Sequence, residues 1–215
     1  MLTLNTVKLK AKKENLFLRV AKGHFATSER HCNYYIDVTT QKARLSEAEA
    51  VAEELTSYFY HNTIVDTILC IDGMEVVGTC IANKLTKSSF TSINAHNTIY
   101  VIEPEPTSSS QLLFRDNVVP MIRGKNVLIV AASYTSGKTV SAAIEAVNYY
   151  GGRVSCVGAI FATAEKTVDN IPVYSCFDPG FLGDFGSYKS HECPMCKDGK
   201  KIDALINGYG YSILK

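Results

Sequence analysis

The strongest constraint on the fold comes from residues 127–152, where an unbroken apolar run leads through a short polar loop into an amphipathic segment. Residues 127–132 (VLIVAA) have the length and composition of a buried strand. Residues 133–139 (SYTSGKT) form the polar loop, and residues 142–147 then place an apolar stripe at helical spacing. Gly151-Gly152 stands where a helix of this length usually ends. This order predicts a strand, a tight loop and a helix.

Further apolar runs repeat the pattern along the chain. The predicted strands are residues 64–71, 98–102 and 154–161, and the other predicted helices are residues 46–60 and 74–87. Ser46 and Glu49 form a Ser-x-x-Glu pattern that predicts a capping box at the start of the first of these helices. Apolar strands that alternate with helices predict an α/β fold, with a mainly parallel sheet flanked by helices.

The composition limits the partners and the compartment. The chain has 215 residues, with 22 basic and 21 acidic side chains and a net charge of +1. Because no long run of like charge occurs, we expect no nucleic-acid or membrane partner, and any bound anion must be held locally. No run approaches the roughly 18 apolar residues of a membrane span, and the first residues contain no secretory core. We therefore expect a cytoplasmic protein whose seven cysteines are thiols.

The loop between the predicted strand and helix has the features of an anion site. A helix N-terminus presents unpaired backbone N–H groups and the positive end of the helix dipole. Around it, Thr135, Ser136 and Thr139 add hydroxyl donors, while Lys138 adds a positive charge and Gly137 allows close approach of a ligand. We predict phosphate as the ligand. A plain helix cap with nothing bound is the simpler alternative, because Ser and Thr are common cap residues.

Two phosphate-binding patterns compete for this loop. The nucleotide-hydrolase pattern G-x-x-x-x-G-K-[ST] is matched at residues 137–139, but its first position is Ala132. Such an enzyme also needs an acid at the end of a strand to hold Mg²⁺, for which Asp72 is the candidate. The second pattern is an apolar strand, two adjacent acids, two further residues and then Thr-[TS]-Gly-[GK]-[TS]. Residues 131–139 (AASYTSGKT) resemble this signature of the type I phosphoribosyltransferases without a gap.

This resemblance implies a ligand for the loop and a cofactor. Residues 135–139 would hold the 5′-phosphate of phosphoribosyl pyrophosphate or of the product nucleotide, and Mg²⁺ is the family's cofactor. The family's two acids hold the ribose hydroxyl groups, and here they are replaced by Ala131 and Ala132. The phosphate half of the motif is therefore intact, and no catalytic acid is predicted.

The N-terminal segment narrows the resemblance. Residues 23–37 (GHFATSERHCNYYID) are similar to the N-terminal stretch of the orotate phosphoribosyltransferases, which place a pyrophosphate loop where this chain has Asp72-Gly73. The resemblance implies a homodimer that transfers phosphoribosyl to orotate or a related base. We place this domain at residues 1–175, with an N-terminal hood over about residues 1–45 and a mobile loop over residues 103–120. The substrate candidates are Arg30, His31, Tyr34, Tyr35 and Arg115. The two tyrosines are candidates for stacking on a base, with packing inside the hood as the alternative.

Two departures from the family pattern keep a second function open. The replaced acids are the first. The second is the run Glu103-Pro-Glu-Pro106, which stands where the family has Arg-Lys before its mobile loop and leaves Arg115 as the sole cation before Arg123. Loss of one transition-state contact lowers a rate by about 10² to 10³. The alternative to an active transferase is therefore a relative that binds a nucleotide or a phosphosugar in a regulatory role.

Residues 176–215 are predicted to form a loop-rich, cysteine-containing tail packed on the core, with one helical face at residues 202–206. Within this tail, Cys193-Pro-Met-Cys196 has the spacing of a zinc knuckle. Zinc needs four ligands, and His191 and Cys176 are the nearby candidates for the other two. A turn that carries two unligated thiols is the simpler interpretation of the same spacing.

Overall fold

The structure, a computed structural model, describes residues 4–214 except residues 12, 14, 88–91, 96–97, 107–110 and 164–165. Contacts separate the chain into two compact units. The larger unit is residues 41–178, and the smaller unit combines residues 1–40 with residues 179–215. The predicted boundary after residue 175 is near the end of the larger unit, but residues 1–40 group with the C-terminal segment because their strands pair with it.

The described residues form fourteen strands and five α-helices. In chain order the strands are β1 (Val7–Lys10), β2 (Phe17–Ala26), β3 (Arg30–Asp37), β4 (Thr67–Cys70), β5 (Tyr100–Ile102), β6 (Glu105–Pro106), β7 (Leu112–Leu113), β8 (Asn126–Tyr134), β9 (Arg153–Ala162), β10 (Thr167–Val168), β11 (Ile171–Phe177), β12 (Ser187–Lys189), β13 (Ala204–Asn207) and β14 (Gly210–Ile213). The helices are α1 (Thr39–Ala43), α2 (Leu45–Phe59), α3 (Glu75–Thr86), α4 (Lys138–Tyr149) and α5 (Pro194–Lys197). None of the described helices is long and apolar enough to cross a membrane.

The larger unit is built on a six-stranded sheet with the order β10-β11-β9-β8-β4-β5. All neighbouring strands pair in parallel except β10 with β11. The α/β fold with a mainly parallel sheet, predicted from the sequence, is confirmed. The predicted strands and helices of this unit lie within three residues of the observed ones at each end.

Alternation along β4 shows how the two faces of this sheet are covered. Ile68 faces α3, where a Cβ added to Gly78 would come within 3.3 Å of the Ile68 side chain. Leu69 faces the opposite side and belongs to a buried cluster that includes Ile144 of α4. Every residue of β4 is buried, because helices lie on both faces of the sheet.

The smaller unit is built on a second sheet. Its strand order is β12-β3-β2-β13-β14, and β1 pairs with β2 outside this path. The register of the antiparallel hairpin β2–β3 shifts between Lys22 and Phe25, where two residues of β2 lie opposite one residue of β3. A small core in this unit contains Ala21, Phe25, Cys32, Tyr35 and Ala204. The C-terminal segment therefore completes the sheet that the N-terminal hairpin begins.

Two local predictions are wrong. α2 begins at Leu45 with Arg44 as its N-cap and has no side-chain cap hydrogen bond, so Ser46 opens no capping box. Residues 204–207 form the strand β13 rather than part of a helix, because they pair with β2 and β14. The predicted loop at residues 103–120 contains the hairpin β6–β7, and its residues 107–110 lie outside the described part of the chain.

Candidate functional site

Two loops singled out in the sequence follow the carboxyl ends of β4 and β8. These strands are parallel neighbours. The chain leaves β4 through α3 to reach β5 on one side, and it leaves β8 through α4 to reach β9 on the other side. In open α/β sheets a crevice opens where neighbouring connections diverge in this way, and ligands bind there. The topology therefore brings Asp72-Gly73 and residues 135–139 to one ligand-binding edge of the sheet.

Residues 135–139 make the turn from β8 into α4. Thr135, Ser136, Lys138 and Thr139 are exposed, and Gly137 is the N-cap residue with a φ of 78°. Glycine adopts this left-handed conformation without strain. α4 has no side-chain cap hydrogen bond and no acidic residue in its first turn. The Ser or Thr cap considered as an alternative is thus not formed, and the positive end of the helix dipole faces the turn.

Tyr134 and Thr163 support this turn from within the protein. Tyr134 is buried, and a Cβ at position 137 would lie 3.2 Å from its ring. Thr163 donates its backbone N–H to the Tyr134 carbonyl at 2.8 Å and its hydroxyl to the Thr135 carbonyl at 2.9 Å. These contacts hold the turn before a ligand arrives, which reduces the entropy lost on binding.

The two positions that carry acids in the resembled family are buried alanines. Ala131 and Ala132 each expose only 1% of their surface near the end of β8. Ala131 belongs to the buried cluster that contains Val140 of α4 and Ala159 of β9. Methyl groups offer no oxygen to a ribose hydroxyl or to Mg²⁺, which prefers oxygen ligands. The described residues at this end of β8 therefore do not fit a Mg²⁺ site.

The turn from β4 into α3 has two successive residues in the left-handed region. Asp72 has a φ of 60° and Gly73 a φ of 79°. The Lys42 ammonium group donates a hydrogen bond of 2.6 Å to the Asp72 carbonyl oxygen. Burial raises the pKa of the Asp72 carboxyl group, and the charge of Lys42 acts in the opposite direction. A non-glycine residue in this conformation stores backbone strain of a kind that clusters at functional sites.

Arg115 is paired with an acid. Its Nε and one terminal nitrogen donate to the two carboxylate oxygens of Glu105, each at 2.6 Å. Hydrogen bonding and charge from Arg115 lower the pKa of Glu105. Both side chains are exposed. A ligand that used the charge of Arg115 would have to compete with Glu105, which lies in the run 103–106 where the family has basic residues.

Two of the substrate candidates in the smaller unit hold strands and loops together. Arg30 donates to the Ser187 hydroxyl at 2.8 Å and to the Ser187 carbonyl at 2.7 Å, which joins β3 to β12. The Tyr34 hydroxyl donates to Asp184 at 2.5 Å, and this hydrogen bond raises the pKa of Tyr34. Their predicted contacts with substrate stay predictions.

Tyr35 packs inside the smaller unit. Its ring centroid lies 6.1 Å from that of Phe25 and 5.3 Å from that of Tyr211. Burial is the main cause that raises the pKa of Tyr35 to about 12. Of the two interpretations of this residue, stacking on a base or packing in the hood, its surroundings match packing.

The remaining candidate of this unit, His31, belongs to a group of four potential metal ligands that we name the His₂Cys₂ cluster. Its members are His24, His31, Cys193 and Cys196, whose ligand atoms all lie within 4.8 Å of one another. His24 Nε2 lies 3.0 Å from His31 Nδ1, 3.6 Å from Cys193 Sγ and 3.7 Å from Cys196 Sγ. Cys196 Sγ lies 3.2 Å from His31 Nδ1. The first three members are buried, and Cys196 is exposed.

The cluster contains the predicted cysteine pair but not the other two predicted ligands. His191 is exposed, with its Nε2 3.3 Å from Glu192, and the Cys176 sulfur on β11 lies 3.9 Å from a backbone carbonyl of α2. The cysteine spacing predicted further ligands only near the tail, so His31 was predicted to contact substrate and His24 was not predicted as a ligand. The spacing of His24 and His31, seven residues apart in the β2–β3 hairpin, could have indicated both. A buried histidine needs a polar partner or a metal, so two histidines that face each other in a hairpin are candidate ligands.

Comparisons with known proteins bear on the fold and the family. No protein-family model matches the sequence. The orotate phosphoribosyltransferase of Chlorobaculum parvum is 26% identical over 183 residues, covering 85% of this chain and 86% of that protein. That of Thermotoga maritima is 27% identical over 191 residues, covering 83% of this chain and 87% of that protein.

A solved structure shares the fold. The orotate phosphoribosyltransferase of Mycobacterium tuberculosis matches with a TM-score of 0.55 and 17% identity, covering 78% of this chain and 93% of that one. The same enzyme is also known in complex with 5-phospho-α-D-ribosyl 1-diphosphate, in a structure with a TM-score of 0.50 and 15% identity, covering 70% of this chain and 84% of that one. Over most of its length this chain is therefore similar in sequence to orotate phosphoribosyltransferases, and it shares the fold of a solved structure of that enzyme.

Proposed function

We propose that this protein transfers a phosphoribosyl group from phosphoribosyl pyrophosphate to a pyrimidine base such as orotate, with the 5′-phosphate held at residues 135–139. The observation that carries the proposal is the glycine-capped turn into α4, which lies where the connections from β4 and β8 diverge. The names of the curated relatives support the choice of base, and the complex of the Mycobacterium tuberculosis enzyme supports the choice of donor.

In this proposal two loops bind different ends of phosphoribosyl pyrophosphate. Residues 135–139 meet the 5′-phosphate with a helix dipole, three hydroxyl groups and the Lys138 ammonium group. The turn at Asp72-Gly73 follows the neighbouring strand and takes the pyrophosphate. Charge must be neutralised on the departing pyrophosphate while cation-like charge develops at the anomeric carbon. We assign no step to Mg²⁺, because Ala131 and Ala132 provide it with no ligand.

A second candidate function is binding of a nucleotide or phosphosugar without fast transfer, in a regulatory role. The observation that favours it is the buried alanine pair at the end of β8, together with the engagement of Arg115 by Glu105. Each lost transition-state contact lowers the rate of transfer by about 10² to 10³. Binding of the 5′-phosphate depends on residues 135–139, which these changes leave intact.

One experiment separates the two candidates. The full-length protein is mixed with Mg²⁺, phosphoribosyl pyrophosphate and orotate, and orotate consumption is followed by absorbance. Binding of orotidine monophosphate is measured in parallel by calorimetry. Turnover above background supports the transferase, whereas binding without turnover supports the regulatory binder. Loss of both signals contradicts the phosphate site itself.

A pair of variants locates the phosphate site. Lys138→Ala is expected to weaken orotidine monophosphate binding by about 10- to 100-fold, because a charge-assisted hydrogen bond contributes about 1.5 to 3 kcal/mol. Lys125→Ala is the matched control, since Lys125 directly precedes the opposite end of the same strand, β8. Equal affinity loss in both variants would point to a general charge effect and would contradict a site at residues 135–139.

By the same resemblance we propose a cytoplasmic homodimer. Sedimentation analysis of the full-length protein is expected to give twice the mass of the chain, and a single-chain mass at all accessible concentrations would contradict this.

A further inference from the structure

We propose that the His₂Cys₂ cluster binds one zinc ion, with His24, His31, Cys193 and Cys196 as its four ligands. Two imidazole nitrogens and two thiolate sulfurs form a donor set that zinc takes in structural sites. The ligand atoms come from a hairpin and from the C-terminal segment of the same compact unit. The site is separate from residues 135–139 and does not depend on phosphoribosyl transfer.

Four of the six separations between ligand atoms in the cluster are close to the edges of a zinc tetrahedron. With Zn–S bonds of about 2.3 Å and Zn–N bonds of about 2.0 Å, neighbouring sulfur and nitrogen ligands lie about 3.5 Å apart and two nitrogen ligands about 3.3 Å apart. Three of the four sulfur–nitrogen separations are 3.2, 3.6 and 3.7 Å, and the nitrogen–nitrogen separation is 3.0 Å. The two remaining pairs of ligand atoms, Cys193 with His31 and Cys193 with Cys196, lie within 4.8 Å. For a tetrahedral ion to fit, the shortest separations need to open by about 0.3 Å and the two remaining pairs need to close by at most about 1.3 Å.

His24 is oriented by contacts outside the cluster. Its Nδ1 lies 2.8 Å from the carbonyl oxygen of Lys200, which can only accept, so Nδ1 carries the ring proton and Nε2 presents its lone pair to the cluster. The Asp203 carboxylate accepts the His24 backbone N–H at 2.7 Å. A Cβ at Gly23 would lie 2.7 Å from that carboxylate, so the contact requires glycine there. Such outer partners are typical of metal-bound histidines.

The charge balance also favours a metal. Zn²⁺ with two thiolates and two neutral imidazoles has no net charge, so the complex can be buried without an unpaired charge. Without an ion, the single lone pair of His24 Nε2 faces three potential donors within 3.7 Å, on His31, Cys193 and Cys196. One lone pair cannot satisfy three donors, whereas one ion takes a lone pair from each of the four residues.

The position of the cluster indicates a structural role. Four protein ligands leave no open coordination position for a substrate or a water molecule. His24 and His31 lie on β2 and β3, whereas Cys193 directly precedes α5 and Cys196 lies within it. His24 and Cys193 are 169 residues apart in the sequence. The ion therefore fastens together the two chain segments that form the smaller unit, and a clip that closes so long a loop restricts the unfolded chain.

Metal content of the full-length protein tests the proposal. Protein purified without chelators and incubated with ZnCl₂ is expected to retain about one zinc per chain after dialysis, as measured by inductively coupled plasma mass spectrometry. Removal of the zinc by a chelator is expected to lower the Tm by about 5 to 10 °C. Co²⁺ in place of zinc is expected to give the visible absorption bands of a tetrahedral site with thiolate ligands. Absence of bound zinc, or a Tm that does not change when the chelator is added, would overturn the proposal.

Variants test the ligand assignment. Cys196→Ser is the first choice, because Cys196 is exposed and its replacement disturbs packing least, and it is expected to weaken zinc binding at least about tenfold. His191→Ala and Cys176→Ser are matched controls outside the cluster and are expected to keep one zinc per chain. Loss of zinc in a control, or its full retention in Cys196→Ser, would overturn the assignment.

A second substitution keeps the test decisive if Cys196→Ser fails to fold. Cys196→His replaces a sulfur ligand by a nitrogen ligand and is expected to retain the metal while it weakens the thiolate-to-Co²⁺ absorption. An unchanged Co²⁺ spectrum in this variant would show that Cys196 is not a ligand.

Discussion

At the scale of single residues, Asp72 combines a strained backbone with a carboxyl group whose ionisation costs stability. Its φ is 60°, and burial raises its pKa while Lys42 acts in the opposite direction. The folded protein therefore binds this proton more tightly than the unfolded chain does, so stability falls as pH rises from the unfolded pKa through the folded pKa. Retention of an acid at such a position is expected where the carboxyl group or its turn contacts a ligand.

Asp72→Asn tests this cost. The variant is expected to have a higher urea midpoint than the parent at pH 7, because Asn adopts the left-handed region as Asp does but carries no charge to bury. The gain is expected to disappear as pH falls below the unfolded pKa, where Asp72 is protonated in both states. Asp66→Asn is the contrasting control, since the Asp66 carboxylate accepts two hydrogen bonds from Asn126 and its loss is expected to lower the midpoint. A gain that is the same at every pH would contradict the role of ionisation.

At the scale of elements, α4 shows that local sequence can specify both ends of a helix. The Gly151 N–H donates to the Asn148 carbonyl at 3.0 Å and the Gly152 N–H to the Val147 carbonyl at 2.9 Å, which is the pair of bonds in a Schellman motif. The polar loop before the helix and the glycine pair after it were both visible in the sequence. Since these signals act over a few residues, no distant contact was needed to predict them.

Substitutions at this glycine pair separate backbone strain from steric clash. Gly151→Ala is expected to lower the free energy of unfolding by about 1 kcal/mol, because its φ of 80° is unfavourable for an L-residue. Gly152→Ala is expected to cost about 2 to 3 kcal/mol, since its Cβ would lie 2.9 Å from the Ile122 carbonyl oxygen and 2.9 Å from the Val147 side chain. Urea unfolding measures both values. Gly151→Asn should recover part of the loss at 151, and a larger loss at 151 than at 152 would contradict this order.

Secondary structure was mispredicted where pairing with a strand that is distant in the sequence determines it. Residues 202–206 carry an apolar spacing that fits a helix, yet residues 204–207 form β13, which pairs with β2 in parallel and with β14. A short apolar run does not distinguish a helix from a strand, and here the strands available for pairing decide the outcome. The capping box at Ser46 is a smaller error of position. The Ser-x-x-Glu pattern is present in the sequence, but the helix starts one residue earlier, at Leu45, so Ser46 is not its N-cap residue.

At the scale of the whole molecule, the chain's two ends form a single sheet. β3 pairs with β12 and β2 pairs with β13, so each strand of the N-terminal hairpin has a C-terminal neighbour. The His₂Cys₂ cluster joins the same two segments. Neither the strand pairings nor the cluster could be predicted from local patterns. His24 and Cys193, for example, are 169 residues apart, and a local pattern carries no information on contacts at that separation. The phosphate turn was predictable because its strand, loop and helix are consecutive.

Removal of residues 179–215 tests this discontinuous unit. The deletion takes away β12, β13 and both cluster cysteines, so β2 and β3 lose their outer neighbours and the small core loses Ala204. Amide hydrogen exchange in β2 and β3 is expected to become at least about 100-fold faster, while β4, β8 and β9 keep their protection because their neighbours all lie within residues 41–178. Deletion of residues 208–215 is the matched control, since it removes β14, which pairs with β13, and the Tyr211 ring that packs on Tyr35. Faster exchange should then be greatest in β13, and in β2 and β3 it should stay well below the roughly 100-fold effect of the longer deletion. Retained protection of β2 and β3 after the longer deletion would show that the N-terminal hairpin is stable without the C-terminal segment.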